Sequence, residues 1–168
     1  MVDQAHITNQ AQRVLKAAKS IGLMTVTAES CTGGMVSTAL TDIPGSSAVV
    51  DRGFITYSNE AKHDLLGVPS EVILEFGAVS GPVARAMAEG ALANSRAQAA
   101  VSITGVAGPG GGTAEKPEGL VHFAAAREGY ETCHLRVEFG ALGRHQVRLG
   151  ATMKALELLE ACIQQSSI

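Results

Sequence analysis

The first candidate for chemistry in this sequence is a serine at the start of a short helix, with a lysine and a tyrosine further along. Ser30 lies in residues 27–34, a small-residue run between a strand-like and a helix-like segment. Unpaired N–H groups at a helix start would stabilise an oxyanion there. Lys62 can accept the hydroxyl proton if burial leaves its amine neutral, and Tyr57 could relay that proton or hold a substrate. The same spacing also fits a capping serine, a solvated lysine and a packed tyrosine.

Two neighbours of Ser30 leave alternatives open. Cys31 is a rival nucleophile, because a thiol at a helix start is readily activated, but such a cysteine is more often a packing residue. Glu29 either orients Lys62 or caps the helix that follows.

Two further segments could bind an anion. Residues 105–112 form a glycine-rich loop, and successive N–H groups in such a loop can make an anion-binding concavity. The loop lacks the signature of a phosphate loop and of a dinucleotide fingerprint, so the alternative is a flexible surface loop. Arg144 and Arg148 lie one turn apart at the start of the last helix, where they could grip a phosphate or carboxylate or form a solvated face.

The elements that position these residues follow from hydrophobic spacing and from glycine and proline punctuation. Helices are predicted over residues 3–20, 35–40, 60–66, 71–76, 81–93 and 142–164. Strands are predicted over residues 23–27, 48–57, 98–104, 120–126 and 130–139. Gly53 is the expected bulge of the second strand, and the third strand is expected to be central because its residues are small and apolar.

This order predicts one α/β domain over residues 1–168, with helices on both faces of a mixed sheet. The last helix has a wide apolar face, which places it either in the core or at an oligomer interface.

Composition excludes several classes of function. A net charge of −3 without a basic run argues against nucleic-acid binding, and the absence of Trp argues against base stacking. The three cysteines are widely spaced, which favours a reducing compartment over a disulfide or zinc framework. We see no signal peptide and no membrane-spanning stretch, so we expect a cytoplasmic protein. The histidines lack ligand spacing, and we predict neither a metal site nor a cofactor.

Four motifs, in this order along the chain, resemble the CinA C-terminal domain family. They are Thr-Ala-Glu-Ser-Cys-Thr-Gly-Gly (27–34), Tyr-Ser-Asn-Glu-Ala-Lys (57–62), Thr-Gly-Val-Ala-Gly-Pro (104–109) and Gly-Arg (143–144). The likeness covers nearly the whole chain. It implies a three-layer α/β/α sandwich with a mixed central sheet, and a homodimer or higher homo-oligomer.

The stand-alone members of this family are nicotinamide mononucleotide amidohydrolases. The resemblance therefore implies hydrolysis of that carboxamide to nicotinate mononucleotide and ammonia, in pyridine nucleotide recycling. Carried over by position, Ser30 matches the family's nucleophile, Lys62 its general base and Tyr57 an assisting tyrosine. Thr104 matches a threonine next to the reacting carbonyl, and Arg144 matches an arginine of the site.

Amide hydrolysis needs an oxyanion hole, and this substrate also brings a phosphate. The turn after Ser30 could supply the oxyanion hole. Either the glycine-rich loop or Arg148 could hold the phosphate. The further candidates for binding substrate are therefore Cys31, Thr32, Gly33, Gly34, Gly105, Gly108 and Arg148.

Two departures from the family pattern bear on this interpretation. His145 and Gln146 follow Arg144 where the family often has an acidic residue. The N-terminal domain of longer members is missing here, so we expect no activity tied to that domain. The alternative function is a non-catalytic nucleotide-sensing or interaction module, because longer relatives are associated with competence and DNA damage responses. Such a module would bind the mononucleotide without releasing ammonia.

Overall fold

The carboxyl ends of three parallel strands meet at one edge of a five-stranded sheet, and the sequence motifs converge there. The computed structural model describes residues 2–165. Its strands are β1 (Thr25–Glu29), β2 (Val50–Ile55), β3 (Ala99–Gly105), β4 (Leu120–Arg127) and β5 (Cys133–Glu138). Their spatial order is β2-β1-β3-β4-β5. Strand β1 pairs in parallel with β2 and β3, whereas β3–β4 and β4–β5 are antiparallel.

Helices cover both faces of this sheet. They are α1 (Gln4–Ser20), α2 (Met35–Thr41), α3 (Asn59–Leu66), α4 (Ser70–Phe76), α5 (Gly81–Ala93) and α6 (Arg144–Gln164). One face carries α1, α2 and α6, and the other carries α5 with α3 and α4 packed beside it. The predicted three-layer α/β/α sandwich with a mixed sheet is therefore confirmed.

The connections create a crevice at the carboxyl edge. From β1 the chain passes through α2 to β2 on one side, and then through α3, α4 and α5 to β3 on the other side of β1. In open α/β sheets, ligands bind outside the carboxyl ends of strands at such a switch point. Ser30 follows the last residue of β1, and Thr104 is the penultimate residue of β3.

The core explains why the middle strands are small and apolar. In β3, residues Ala99, Ala100, Val101 and Ile103 are fully buried between the two helical layers. This strand lies at the centre of the sheet, as its composition predicted. The apolar residues of both sides of α6 are also buried, among them Leu149 and Leu156, so this helix belongs to the core.

Three strand boundaries differ from the prediction. Strand β1 begins and ends two residues later than expected, whereas β2 and β5 are shorter than expected. An apolar run in the sequence predicts which residues are buried. The strand itself ends where the neighbouring strand no longer offers hydrogen-bond partners, so its boundaries do not follow from the apolar run.

The predicted bulge at Gly53 is wrong. The register of β1 against β2 shifts between Thr25 and Val26, which skips Asp51. Gly53 has a different cause, because a Cβ there would lie 2.6 Å from Ser37 Oγ and 2.9 Å from Thr27 Oγ1. A side chain at this position would push α2 away from the sheet.

Candidate active site

Ser30 lies at the carboxyl end of β1, in the crevice between β1 and β3. Its N–H donates to the carbonyl oxygen of Ile103 at 2.9 Å, which ties the turn to the neighbouring strand. The side chain is largely buried, with 8% of the residue exposed. The serine hydroxyl is thus held in place by the sheet on one side and by the start of α2 on the other.

Lys62 brings its amine to this hydroxyl from the first turns of α3. Its Nζ lies 3.0 Å from Ser30 Oγ and 2.8 Å from the carbonyl oxygen of Thr56. The carbonyl oxygens of Tyr57 and Ser58 lie further away, at 3.4 and 3.5 Å. Helix α3 is fixed in this position by Ser58, whose hydroxyl accepts the N–H of Ala61 and caps the helix.

The surroundings of Lys62 favour a neutral amine. The residue is only 1% exposed, and burial lowers its pKa from the usual 10.5. Among residues 2–165, no carboxylate oxygen lies within 4.0 Å of its Nζ. Three carbonyl oxygens and the Ser30 hydroxyl lie within 3.5 Å of Nζ, so the amine is close enough to exchange a proton with that hydroxyl.

Glu29 does not orient Lys62; it caps α2. Its carboxylate accepts the hydroxyl of Thr32 at 2.7 Å and the N–H groups of Gly34, Val36 and Ser37 at 2.9–3.2 Å. These donors satisfy the start of the helix from inside the protein. Of the two roles that the sequence left open for Glu29, the structure selects the cap.

Cys31 is buried beside Ser30, and its thiol is poorly suited to act as the nucleophile. Burial raises the pKa of Cys31 to about 12, so the thiol stays protonated at neutral pH. Only the thiolate is a strong nucleophile. The chemistry of the turn therefore favours Ser30 over Cys31.

Tyr57 and Arg144 lie at the mouth of the site. Arg144 Nη2 donates to Tyr57 Oη at 3.1 Å, and Arg144 Nη1 donates to the carbonyl oxygen of Gly108 at 2.9 Å. Tyr57 is 62% exposed. The arginine thus links the β2–α3 connection to the glycine-rich loop across the entrance, and the phenol bonds to Arg144.

A cavity of about 180 Å³ opens between these groups. Thr104 forms part of its wall, and its hydroxyl donates to the carbonyl oxygen of Ala78 at 2.8 Å. The cavity is lined by Ser30, Cys31, Tyr57, Lys62, Ala78, Val79, Thr104, Gly105, Ala107 and Arg144. The structure therefore brings the sequence-predicted Ser30, Lys62, Tyr57, Thr104 and Arg144 to one cavity.

The groups predicted to hold a phosphate lie in two places. In the glycine-rich loop, Gly105 lines the cavity, but Gly110 donates its N–H to the carboxylate of Glu118 at 3.3 Å. That carboxylate also fills the space beside Gly108. Arg148 lies behind the turn and donates to backbone carbonyl oxygens of Cys31 and Thr32.

Sequence reasoning missed the partners of Arg148 and the carboxylate of Glu118 in the loop. No periodic pattern links Arg148 to a turn at the other end of the chain, so only the folded structure could reveal that contact. The acidic Glu118 just after the glycine run was the one signal available for the loop.

Within the described part of the chain, no three His, Cys, Asp or Glu residues are grouped to hold a metal ion. No helix within residues 2–165 is long and apolar enough to cross a bilayer.

The fold and the site together define a three-layer α/β protein that holds a serine hydroxyl against a buried lysine amine at the carboxyl edge of its sheet. The family model described as the CinA C-terminal domain matches residues 7–163. The chain belongs to this family, as the four sequence motifs implied.

Curated relatives fall into two lengths. The nicotinamide-nucleotide amidohydrolase PncC of Escherichia coli K12 is 50% identical over 149 residues, which cover 89% of this chain and 90% of that protein. A CinA-like protein of Akkermansia muciniphila is 50% identical over 131 residues, or 78% of this chain and 30% of its own length. This chain spans 24–30% of the length of the longer curated relatives that it matches.

Solved structures show the same fold. The competence/damage inducible protein CihA from Agrobacterium tumefaciens superposes with a TM-score of 0.93 at 52% sequence identity. The match covers 95% of this chain and 96% of that one.

Proposed function

We propose that the protein hydrolyses the carboxamide of nicotinamide mononucleotide to nicotinate mononucleotide and ammonia. The observation that carries this proposal is the 3.0 Å contact between Ser30 Oγ and Lys62 Nζ beside a cavity. No carboxylate of residues 2–165 lies within 4.0 Å of that amine. The amidohydrolase name of the Escherichia coli relative, which matches along most of both chains, supports the choice of substrate.

In the first half of the reaction, Ser30 forms a bond to the carboxamide carbon. Lys62, as a neutral amine, accepts the hydroxyl proton while Ser30 Oγ attacks. The carbonyl oxygen becomes an oxyanion next to the turn after Ser30. Lys62 then returns the proton to the amide nitrogen, the C–N bond breaks, and ammonia leaves an ester on Ser30.

In the second half, water replaces ammonia in the same geometry. Lys62 accepts a proton from the water as it attacks the ester carbon, and it then protonates Ser30 Oγ as the C–O bond breaks. The products are the free serine and the carboxylic acid of nicotinate mononucleotide, which ionises. Lys62 ends as it began, so no cofactor is consumed.

The cavity is sized for the reacting end of the substrate. Pockets that enclose a drug-sized ligand usually measure about 300–1,000 Å³, whereas this one measures about 180 Å³. The carboxamide and ring therefore enter the cavity, between Thr104 and the walls at Ala78 and Val79, and the ribose phosphate stays at the mouth. There Arg144 supplies positive charge, and Tyr57 holds the substrate beside it.

Ammonia release from nicotinamide mononucleotide tests this proposal. Wild-type protein should release ammonia at the same rate with and without a chelator, and Ser30→Ala should lose at least about 10³-fold in kcat while remaining folded. Cys31→Ala is the matched control, because it removes the neighbouring nucleophile. Folded wild type that binds the mononucleotide but releases no ammonia would favour the sensing module instead.

We also infer a cytoplasmic homodimer that serves pyridine nucleotide recycling. The three free cysteines fit a reducing compartment. Near the mouth, Ile55 and Leu142 are 54% and 59% exposed, which fits a surface covered by a second copy. Sedimentation equilibrium tests the dimer, and Ile55→Lys should shift the equilibrium towards monomer.

A further inference from the structure

The turn after Ser30 has two peptide N–H groups to spare. Ser30, Gly33, Gly34 and Met35 all donate their N–H groups to oxygen atoms of the fold. Within residues 2–165, no oxygen accepts the N–H groups of Cys31 and Thr32. These two groups are therefore the donors that the turn can offer to an oxyanion on the substrate.

The direction of each spare N–H is set by the carbonyl of the same peptide unit. In a planar trans peptide, the N–H and the C=O point in opposite directions. The carbonyl oxygen of Ser30, which belongs to the peptide with the Cys31 N–H, accepts from Gly33 at 3.1 Å. The carbonyl oxygen of Cys31, which belongs to the peptide with the Thr32 N–H, accepts from Arg148 Nε at 3.0 Å.

Arg148 holds this turn with two parallel bonds. Its Nη2 donates to the carbonyl oxygen of Thr32 at 3.0 Å, beside the bond from Nε to Cys31. Gly33 makes room for the guanidinium, because a Cβ there would lie 3.2 Å from Nη2. The backbone φ of Gly33 is also +60°, which residues with a side chain rarely adopt. A fork of two donors fixes the orientation of both peptides in a way that a single point charge does not.

We infer that Arg148 is a positioning residue, which fixes the Cys31–Thr32 peptide so that the N–H of Thr32 joins the N–H of Cys31 in binding the oxyanion. This inference rests on the proposed amidohydrolase reaction. It gives Arg148 a role different from the phosphate contact expected from its spacing to Arg144. Two of its guanidinium nitrogens already bind the turn, and a phosphate there would have to compete with those carbonyl groups.

The test separates turnover from binding in Arg148→Met and Arg148→Lys. The kcat and KM for nicotinamide mononucleotide are measured, together with the Kd and the stoichiometry for nicotinate mononucleotide by calorimetry. To obtain kcat, the maximal rate is divided by the concentration of binding sites from calorimetry, which excludes unfolded protein from the result. Arg136→Met is the matched control, because Arg136 is exposed on β5 and pairs only with Glu138.

For Arg148→Met we expect kcat to fall on the order of 10²-fold, because a misdirected oxyanion donor loses its transition-state contact. KM and the product Kd should stay within about threefold of wild type, which shows that ground-state binding is kept. Arg148→Lys should retain an intermediate kcat, because an ammonium can reach a carbonyl but lacks the fork. This variant carries the test if Arg148→Met does not fold.

Two results would overturn the inference. A product Kd and a KM that rise together, with kcat unchanged, would make Arg148 a ligand of the phosphate. Unchanged kcat and KM in both variants would mean that the turn keeps its geometry without the guanidinium. A wild type that releases no ammonia would instead defeat the proposed function itself, so the two failures are distinguishable.

Discussion

Glu29 and Lys62 are both buried ionisable residues beside Ser30, but their surroundings are opposite. Glu29 accepts hydrogen bonds from the hydroxyls of Thr27 and Thr32 and from three backbone N–H groups at the start of α2. Lys62 meets only uncharged oxygens and has no carboxylate within 4.0 Å among the described residues. The first group caps a helix, whereas burial without a counter-charge lowers the pKa of the second.

This difference separates a structural role from a chemical one. A carboxylate that accepts from these donors keeps the start of α2 in place. An amine without a counter-charge has a lowered pKa, and this one lies 3.0 Å from the serine hydroxyl, where the proposed reaction needs a base. Burial alone would not tell the two apart, because both residues are at most 1% exposed. The identity of the hydrogen-bond partners does.

Replacing Lys62 should have the largest effect. Lys62→Met removes the base, so kcat should fall by about 10³-fold or more, while stability should stay the same or rise because a buried amine is lost. Lys62→Arg should not restore activity, because a guanidinium stays protonated. Ammonia release and urea unfolding measure the two effects. An active Lys62→Met would show that another group deprotonates Ser30.

Replacing Glu29 should act on stability first. Glu29→Ala leaves the N–H groups of Gly34, Val36 and Ser37 without an acceptor, so the free energy of unfolding should fall by about 3 kcal/mol. Urea denaturation measures this loss. Glu157→Ala is the control, since this half-exposed partner of Lys154 should cost less than about 1 kcal/mol. Equal losses in the two variants would contradict the cap.

A buried histidine pair provides a third case for the comparison. His122 Nδ1 and His134 Nε2 lie 2.8 Å apart, and burial lowers the pKa of His122 from 6.5 to about 4. Between these values the unfolded chain binds more protons than the folded one, so stability should fall as the pH drops from 6.5 towards 4. In His122→Phe that acid-induced loss should shrink by about 3 kcal/mol. Exposed His145→Phe should leave it unchanged, and a loss that is the same in all three proteins would contradict the shift.

The smallest effect is expected at Cys31. Because burial raises the pKa of its thiol to about 12, Cys31→Ala should keep kcat within about threefold of wild type. Resistance of the wild type to iodoacetamide at pH 7 is a second readout. A Cys31→Ala variant as inactive as Ser30→Ala would move the nucleophile to the thiol.

Much of the fold could be predicted because it depends on local patterns. Helical spacing predicted α6, and the small apolar residues of β3 predicted a central strand. The turn at residues 27–34 and the predicted helix over residues 60–66 indicated where Ser30 and Lys62 would be presented. The family motifs added what the spacing could not, since Ser30 and Lys62 meet only after β2 has been laid beside β1.

The remainder depended on partners far apart in the sequence. Nothing local in the chain shows that Arg148 would hold the turn after Ser30, or that Asp51 instead of Gly53 would be skipped in the register. Likewise, Glu29 could be assigned to α2 only when its three backbone N–H donors from the start of that helix were seen. Periodicity indicates which face of an element is buried, and it does not say which polar groups will meet.

The protonation state of Lys62 tests the account most directly. In protein labelled with ¹³C-lysine, the Cε resonance that disappears in Lys62→Met identifies this residue, and its shift is followed with pH. The account predicts a titration below the usual 10.5, with kcat/KM rising through the same pKa as the amine loses its proton. A Lys62 that titrates at or above 10.5, while kcat/KM is already maximal at neutral pH, would contradict the neutral base.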